Sequence, residues 1–463
     1  MSRPLTDAGA LSAARGLASN FAPRLAREAV YRAVWRWHFY AGLLCLPFLI
    51  LLSATGAVYL FKAEIDATVF AARTVVAPNG RSPLGPDRLI FEAREAVSDA
   101  SPVSYLDPPA PTASAVVTMA GASGRTLVYL DPYDGTVLDA VARDGEFSRV
   151  VRSLHSLAYF GPVANGAIEV VAGFTLILVV TGVYLWWPRG RTGGVVTVRG
   201  GPARRVWWRD VHALTGLVAG AGLFFLAATG LPWSILWGHE FRALADAAGL
   251  GQPPALAAAR PVAPVPMRDR LEGVGWALEE TPMPEYASGP AAPLGIDRAA
   301  AILRDLGMPA GYELSLPRTP TDVYAATAYP RDVTRQRMIA LDPQSGRTLA
   351  DVRFADLGAV ARFVQYGIGI HKGEHWGRAN QLAMLAVCLA TILLSVTAAV
   401  MWWKRRPAGR LGVPPWPRER RAAATVTGLV LGLGALFPLT GLAILAMLGL
   451  DLAVLSLRRR PAA

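Results

Sequence analysis

The run WHFYAGLLCLPFLILLSATG at 37–56 has a second version further along the chain, VHALTGLVAGAGLFFLAATG at 211–230. In each, a histidine is followed one helical turn later by a glycine, His38 by Gly42 and His212 by Gly216. The register then holds without insertion to Gly56 and Gly230, and both runs close on Ala-Thr-Gly. Each run is apolar and long enough to cross a hydrocarbon core, which takes about 20 helical residues. A second pair of runs agrees equally well. His155 and Trp186 have the same separation as His371 and Trp402, and Thr181 and Thr397 fall at one position between them. The spacing predicts a duplicated unit, each copy contributing two membrane-spanning helices.

Working outward, the spans are expected at 36–62, 160–187, 210–238 and 379–403. The apolar stretch 422–457 is too long for one simple span; as a single helix it would run about 54 Å at 1.5 Å per residue. It is therefore expected as a C-terminal helix or as a hairpin broken near Pro438-Leu439-Thr440-Gly441. The formal charge of +12 is carried largely by arginines beside the spans, in 1–35, 188–209 and 404–421. By the positive-inside rule these three segments are cytoplasmic, so the N-terminus is inside. The tryptophan pairs Trp186-Trp187, Trp207-Trp208 and Trp402-Trp403 fall at the same interface, where amphipathic rings favour the headgroup level. The basic excess thus answers to a lipid bilayer, and nucleic acid is not an expected partner. No short apolar core with a small-residue cleavage site precedes the first span, which reads as an uncleaved signal anchor.

Between the paired spans lie 63–155 and 239–375, each opening with a helical stretch around Asp87-Arg88 or Asp297-Arg298. Each then reaches one turn pattern, Asp131-Pro132-Tyr133-Asp134-Gly135 in the first and Asp342-Pro343-Gln344-Ser345-Gly346 in the second. Asp leads, Pro fixes φ and Gly supplies a left-handed residue, which predicts a β-hairpin with a type I turn and a bulge. Two small α+β domains outside the membrane are expected. The second carries a Pro/Ala-rich stretch, 252–293, which reads as a linker rather than packed structure. The fold class is then an α-helical polytopic membrane protein built of two parallel repeats, since both copies start in the cytoplasm.

Six histidines occur: His38, His212, His155, His371, His375 and His239. An ionisable residue at the edge of a span must be paired or ligated, and neutral imidazole is the common axial ligand of haem iron. In-register histidines at both ends of the spans point to two haems. One would be held by His38 and His212 on the cytoplasmic side, the other by His155 with His371 or His375 on the outer side. No C-x-x-C-H is present, and Cys45 and Cys388 lie in different spans, so the group would be haem b without covalent attachment. Gly42, Gly56, Gly216, Gly220 and Gly230 allow close approach of helices or of a flat macrocycle. Arg152, Arg362 and Lys372 are candidates to pair with propionates. His371-Lys372-Gly373-Glu374-His375 also matches H-x-x-E-H, but Gly373 disfavours a helix there and His371 already has a register partner in His155. His239 and His375 have no counterpart in the first copy.

On WHFYAGLLCLPFLILLSATG, LHSLAYFG, RDVHALTG and IHKGEHWG, the sequence resembles the PepSY-associated transmembrane family of bacterial iron-uptake proteins. The resemblance covers nearly all of 30–457, and members similar to the FoxB-type ferrisiderophore reductases are inner-membrane di-haem proteins. It implies small PepSY-like periplasmic domains, two haems b on His38, His155, His212 and His371 or His375, and a multi-pass bacterial inner-membrane location. The reaction it implies is one-electron reduction of ferric siderophore iron on the periplasmic side. Flavoprotein fusions occur in the family, and this chain lacks that module, so quinol and a cytoplasmic flavoprotein both stand as electron donors. Other readings are a membrane interaction or regulatory protein and a siderophore or iron transporter.

Overall fold

The computed structural model describes residues 8–190, 193–253, 256, 265–271, 274–285, 294–416 and 419–459. Its helices and strands begin with α1 Ala8–Tyr59, α2 Lys62–Thr68, α3 Ala71–Thr74 and α4 Pro86–Ala96. Strands β1 Ala100–Leu106, β2 Ala115–Gly121, β3 Gly124–Leu130 and β4 Val137–Ala142 follow. Helices α5 Phe147–His155, α6 Pro162–Trp186, α7 Arg205–Gly230, α8 Trp237–Ala247 and α9 Ile296–Asp305 come next. The remainder is β5 Glu313–Ser315, β6 Tyr324–Ala328, β7 Arg337–Leu341, β8 Thr348–Arg353, α10 Ala359–His371, α11 Gly377–Arg405, α12 Arg420–Leu436 and α13 Pro438–Arg459. Among the described residues four stretches are long and apolar enough to cross a membrane: Arg27–Tyr59, Pro162–Trp186, Arg205–Trp233 and Gly377–Arg405.

The chain divides into two compact units. The helical one contains Met1–Ser53, Pro162–Leu231 and Val387–Ala463. Its core joins Ala33, Trp37, Ala41 and Cys45 of α1 to Val171, Phe174 and Ile177 of α6, with Val426 and Val430 of α12 and Ile444 of α13. The C-terminal stretch is a helix pair broken between Leu436 and Pro438, because proline has no N–H and its ring clashes with the preceding turn. Thr440, fully buried, lies against Gly173 of α6 so closely that a Cβ at Gly173 would overlap its hydroxyl.

The second unit contains Ala54–Gly161 and Pro232–Ala386. Here the expectation of two separate α+β domains is corrected: the eight strands form one sheet, ordered β4-β3-β2-β1-β5-β6-β7-β8. The join is antiparallel, with Ser104 opposite Ser315, Tyr105 opposite Leu314 and Leu106 opposite Glu313. Each half alone would leave an edge strand with unpaired N–H and C=O groups, and the join satisfies both edges at once. A buried bond from Ser104 Oγ to Glu313 Oε1, 2.7 Å, crosses it. Two helix starts meet nearby, where the Asp87 N–H donates to Asp297 Oδ1 at 2.8 Å.

Both predicted hairpins are present. Gly135 and Gly346 adopt φ of 80° and 73°, and their N–H groups donate back to the carbonyls of Asp131 and Asp342. Ladder irregularities fall at Tyr129/Leu130 and at Ala340/Leu341. The strands alternate in the sense a sheet with two covered faces requires. Ala326, Ala328, Ile339 and Leu341 face a core with Leu89 of α4 and Leu303 of α9. Ala325, Met338 and Ala340 face the opposite core with Trp276, Val364 and Ile368. That second core corrects the linker reading of 252–293 for the described residues 265–271 and 274–285. Residues 254–255, 257–264, 272–273 and 286–293 lie outside those described, but Met267, Leu271 and Trp276 are fully buried. Pro266 and Pro282 pair there in an antiparallel bridge, with the Met267 N–H donating to Thr281 O at 2.9 Å and the Met283 N–H to Val265 O at 2.8 Å, and the large apolar side chains between them pack on the sheet. Trp276 also donates its Nε1–H to Pro232 O at 2.8 Å.

Candidate functional site

In the helical unit His38 projects from α1 and His212 from α7, within electrostatic reach of one another. His38 Nδ1 lies 2.8 Å from Thr181 Oγ1. The Thr181 hydroxyl donates its own proton to Ile177 O at 2.6 Å, so toward His38 it acts as acceptor. With the hydroxyl so assigned, the His38 proton is placed on Nδ1 and the lone pair on Nε2. His212 Nδ1 is 3.1 Å from Leu394 O and 3.0 Å from Thr397 Oγ1. A carbonyl only accepts, which fixes the same tautomer. Gly182 adjoins Thr181, and a Cβ there would come 3.4 Å from His38 Cε1.

Two buried charges stand just ahead of these histidines; sequence reading counted Arg36 with the basic flank and gave Asp210 no role. Arg36 bonds Tyr40, Pro414 O and Asp451 of α13, and lies over the Trp416 ring at 4.6 Å. Asp210, 1% exposed, receives Arg199 Nε at 2.8 Å and the Arg209 guanidinium. The signal available was their position: Arg36 stands two residues before His38 as Asp210 does before His212. Gly42, Gly216 and Gly220 make ordinary side-chain contacts, with Leu178, Leu394 and Val179 at 3.5–3.8 Å of an added Cβ, which is helix packing.

In the second unit His155 ends α5 and His371 ends α10, and the structure brings their rings together. Their centroids are 6.4 Å apart with an interplanar angle of 85°. His155 Nδ1 is 3.0 Å from Thr55 Oγ1. Just beyond it, Leu157 is buried with φ of 55°, the non-glycine residue in a left-handed conformation among those described. This costs about 1 kcal/mol or more and turns the chain sharply away from α5. Burial, then His155 and Lys372, push the His371 ring down to a pKa of about 3, leaving it neutral, the form that ligates metal.

The alternative of His371 or His375 is divided by Gly373, whose φ of 71° ends α10 and reverses the chain. His375 packs instead on Tyr366 at 5.1 Å and Trp376 at 5.5 Å, and its Nδ1 is buried without a hydrogen-bond partner. The same break removes the helical geometry that a zinc-binding H-x-x-E-H would use. Lys372 is engaged by Glu374 at 2.9 Å and lies over the Tyr329 ring at 5.2 Å. The Arg362 guanidinium bonds Ala355 O at 3.1 Å. His239 is exposed beside Glu240 and joins neither pair.

Among comparisons with known proteins, no curated protein matches the chain. A family model described as the PepSY-associated TM region matches residues 35–405. That match contains both histidine pairs and stops before α12 and α13. Covering most of the sequence, it establishes that the chain belongs to the family of proteins with a PepSY-associated TM region.

Proposed function

We propose that this membrane protein is a di-haem electron-transfer protein that reduces ferric siderophore iron on the periplasmic side of a bacterial inner membrane. The observation that carries the reading is the His155–His371 pair. The structure sets the two rings with centroids 6.4 Å apart, close enough that both would hold one iron. The donor set fits haem iron, which takes neutral histidine as its axial ligand. His38 and His212 supply a second pair with the lone pair on Nε2, and the free, buried thiols of Cys45 and Cys388 offer no covalent attachment.

The haems, when bound, supply one-electron Fe(III)/Fe(II) couples. The chain's own part is to present four imidazoles, each oriented by a hydrogen bond or ring contact from another helix. By the arginine pattern, the His38–His212 pair lies toward the cytoplasm, where quinol or a flavoprotein would donate, and the His155–His371 pair toward the periplasm. Reduction of the chelated ferric ion weakens its hold on hard oxygen ligands and releases iron from the siderophore.

The test is a haem count on protein purified from haem-replete cells. Wild type is expected to bind about two per chain, with His155→Ala and His371→Ala each leaving about one, and His38→Ala or His212→Ala removing the other. Reduced protein should be reoxidised by a ferric siderophore. Wild type without a Soret band sinks the proposal.

A further inference from the structure

We infer that Thr181, Thr397 and Thr55 are positioning residues that set the donor strength of the histidines they touch, so that each pair's redox potential is tuned from a neighbouring helix. The inference rests on the di-haem reading and deepens it.

A threonine inside a helix ordinarily spends its hydroxyl proton on a carbonyl one turn back. Thr181 does so with Ile177 O at 2.6 Å, and Thr397 with Leu394 O at 2.9 Å. That bond alone would be ordinary packing. What differs is that the remaining lone pair of each hydroxyl is aimed at a histidine Nδ1 from another helix. The distances are 2.8 Å for Thr181 to His38, 3.0 Å for Thr397 to His212 and 3.0 Å for Thr55 to His155. For Thr181 and Thr397 the hydroxyl's proton is already committed, so the oxygen can only accept and Nδ1 must carry the ring proton. Nε2 would then be the nitrogen left to hold iron, and the donated hydrogen bond raises its basicity. A more basic imidazole would favour ferric over ferrous iron, so Thr181 and Thr397 would hold the potential down. Thr181 of α6 and Thr397 of α11 occupy one register position in the two repeats, so each of these spans serves a histidine presented by its partner helix.

The experiment is a spectroscopic redox titration of the purified holoprotein, comparing Thr→Val and Thr→Ser at each position. Thr181→Val is expected to raise the reduced-to-oxidised ratio of the His38–His212 haem roughly tenfold at fixed ambient potential, and Thr397→Val to raise it less, because Leu394 O still accepts from His212 Nδ1 at 3.1 Å. The other haem should be unmoved and serve as the internal control for folding. Thr55→Val should shift the His155–His371 haem alone, and Ser should restore wild-type behaviour at all three positions. Unchanged potentials in the Val variants, equal shifts of both haems, or failure of Ser to restore would overturn the inference while leaving the di-haem reading intact. Wild-type protein without haem would overturn both.

Discussion

The contact between Gly173 and Thr440 gives a direct test of how the C-terminal helix pair is seated. A methyl group added at Gly173 would overlap Thr440 Oγ1 and lie 3.0 Å from its Cβ and 3.1 Å from its Cγ2. Thr440 is fully buried and bonds Glu169 O at 3.3 Å, so it has no empty space to retreat into. Overpacking of this kind costs about 1–3 kcal/mol, offset by up to about 1 kcal/mol because alanine is the better helix former. Gly173→Ala alone should therefore destabilise by about 1–2 kcal/mol. Thr440→Ala removes the overlapping oxygen and Cγ2, so the double variant should be more stable than the sum of the singles by about 1 kcal/mol or more. Equilibrium unfolding of the purified protein in mixed micelles, followed by tryptophan fluorescence, closes the cycle. Residues in contact couple by about 0.5–3 kcal/mol whereas distant ones add to within about 0.5. Additive energies would show that α13 does not pack on α6 at this point, and would refute the reasoning.

Further expectations concern the sheet unit and the topology. Trp276→Ala should cost about 3–5 kcal/mol, the range for a fully buried large side chain; a loss below about 1 kcal/mol in the same unfolding assay would return 274–285 to the status of a linker. Asp351 is held below the usual carboxylate range by its paired hydrogen bonds to Arg337, at 2.7 and 2.8 Å. Because its folded pKa is depressed, this contribution is present above about pH 4 and fades as pH falls through the folded value. Asp351→Asn should accordingly flatten the acid limb of a thermal-midpoint profile, and an unaltered limb would count against the pair. With Cys45 and Cys388 replaced, a cysteine at exposed Asp134 should react with an impermeant maleimide in spheroplasts and one at exposed Arg410 only after permeabilisation. The opposite pattern would invert the orientation read from the arginines.

Much of this molecule is local in origin and so was written in the chain. Runs of about 20 apolar residues cross a membrane as helices because backbone groups find no partner in lipid, and a Pro-to-Gly turn such as 131–135 or 342–346 closes a hairpin whatever surrounds it. The repeat spacing likewise made His38 and His212 comparable, and His155 and His371, without any coordinates. What depends on pairing between distant segments was not legible. Whether β1 and β5 end as two edges or one join depends on each strand finding the other across two membrane spans and the loop between them. Whether Trp276 is tethered or buried depends on a sheet face that the Pro/Ala-rich stretch does not itself encode. The histidine chemistry divides along the same line. Sequence register supplied the imidazoles, but packing set the His371 ring against His155 and the reversal at Gly373 turned His375 toward Tyr366 and Trp376, while the partners of His38 and His212 came from other helices. A hydrogen bond has a direction only once donor and acceptor meet in space, so composition and spacing could nominate these histidines while only the packed helices decide which of their nitrogens is hydrogen-bonded.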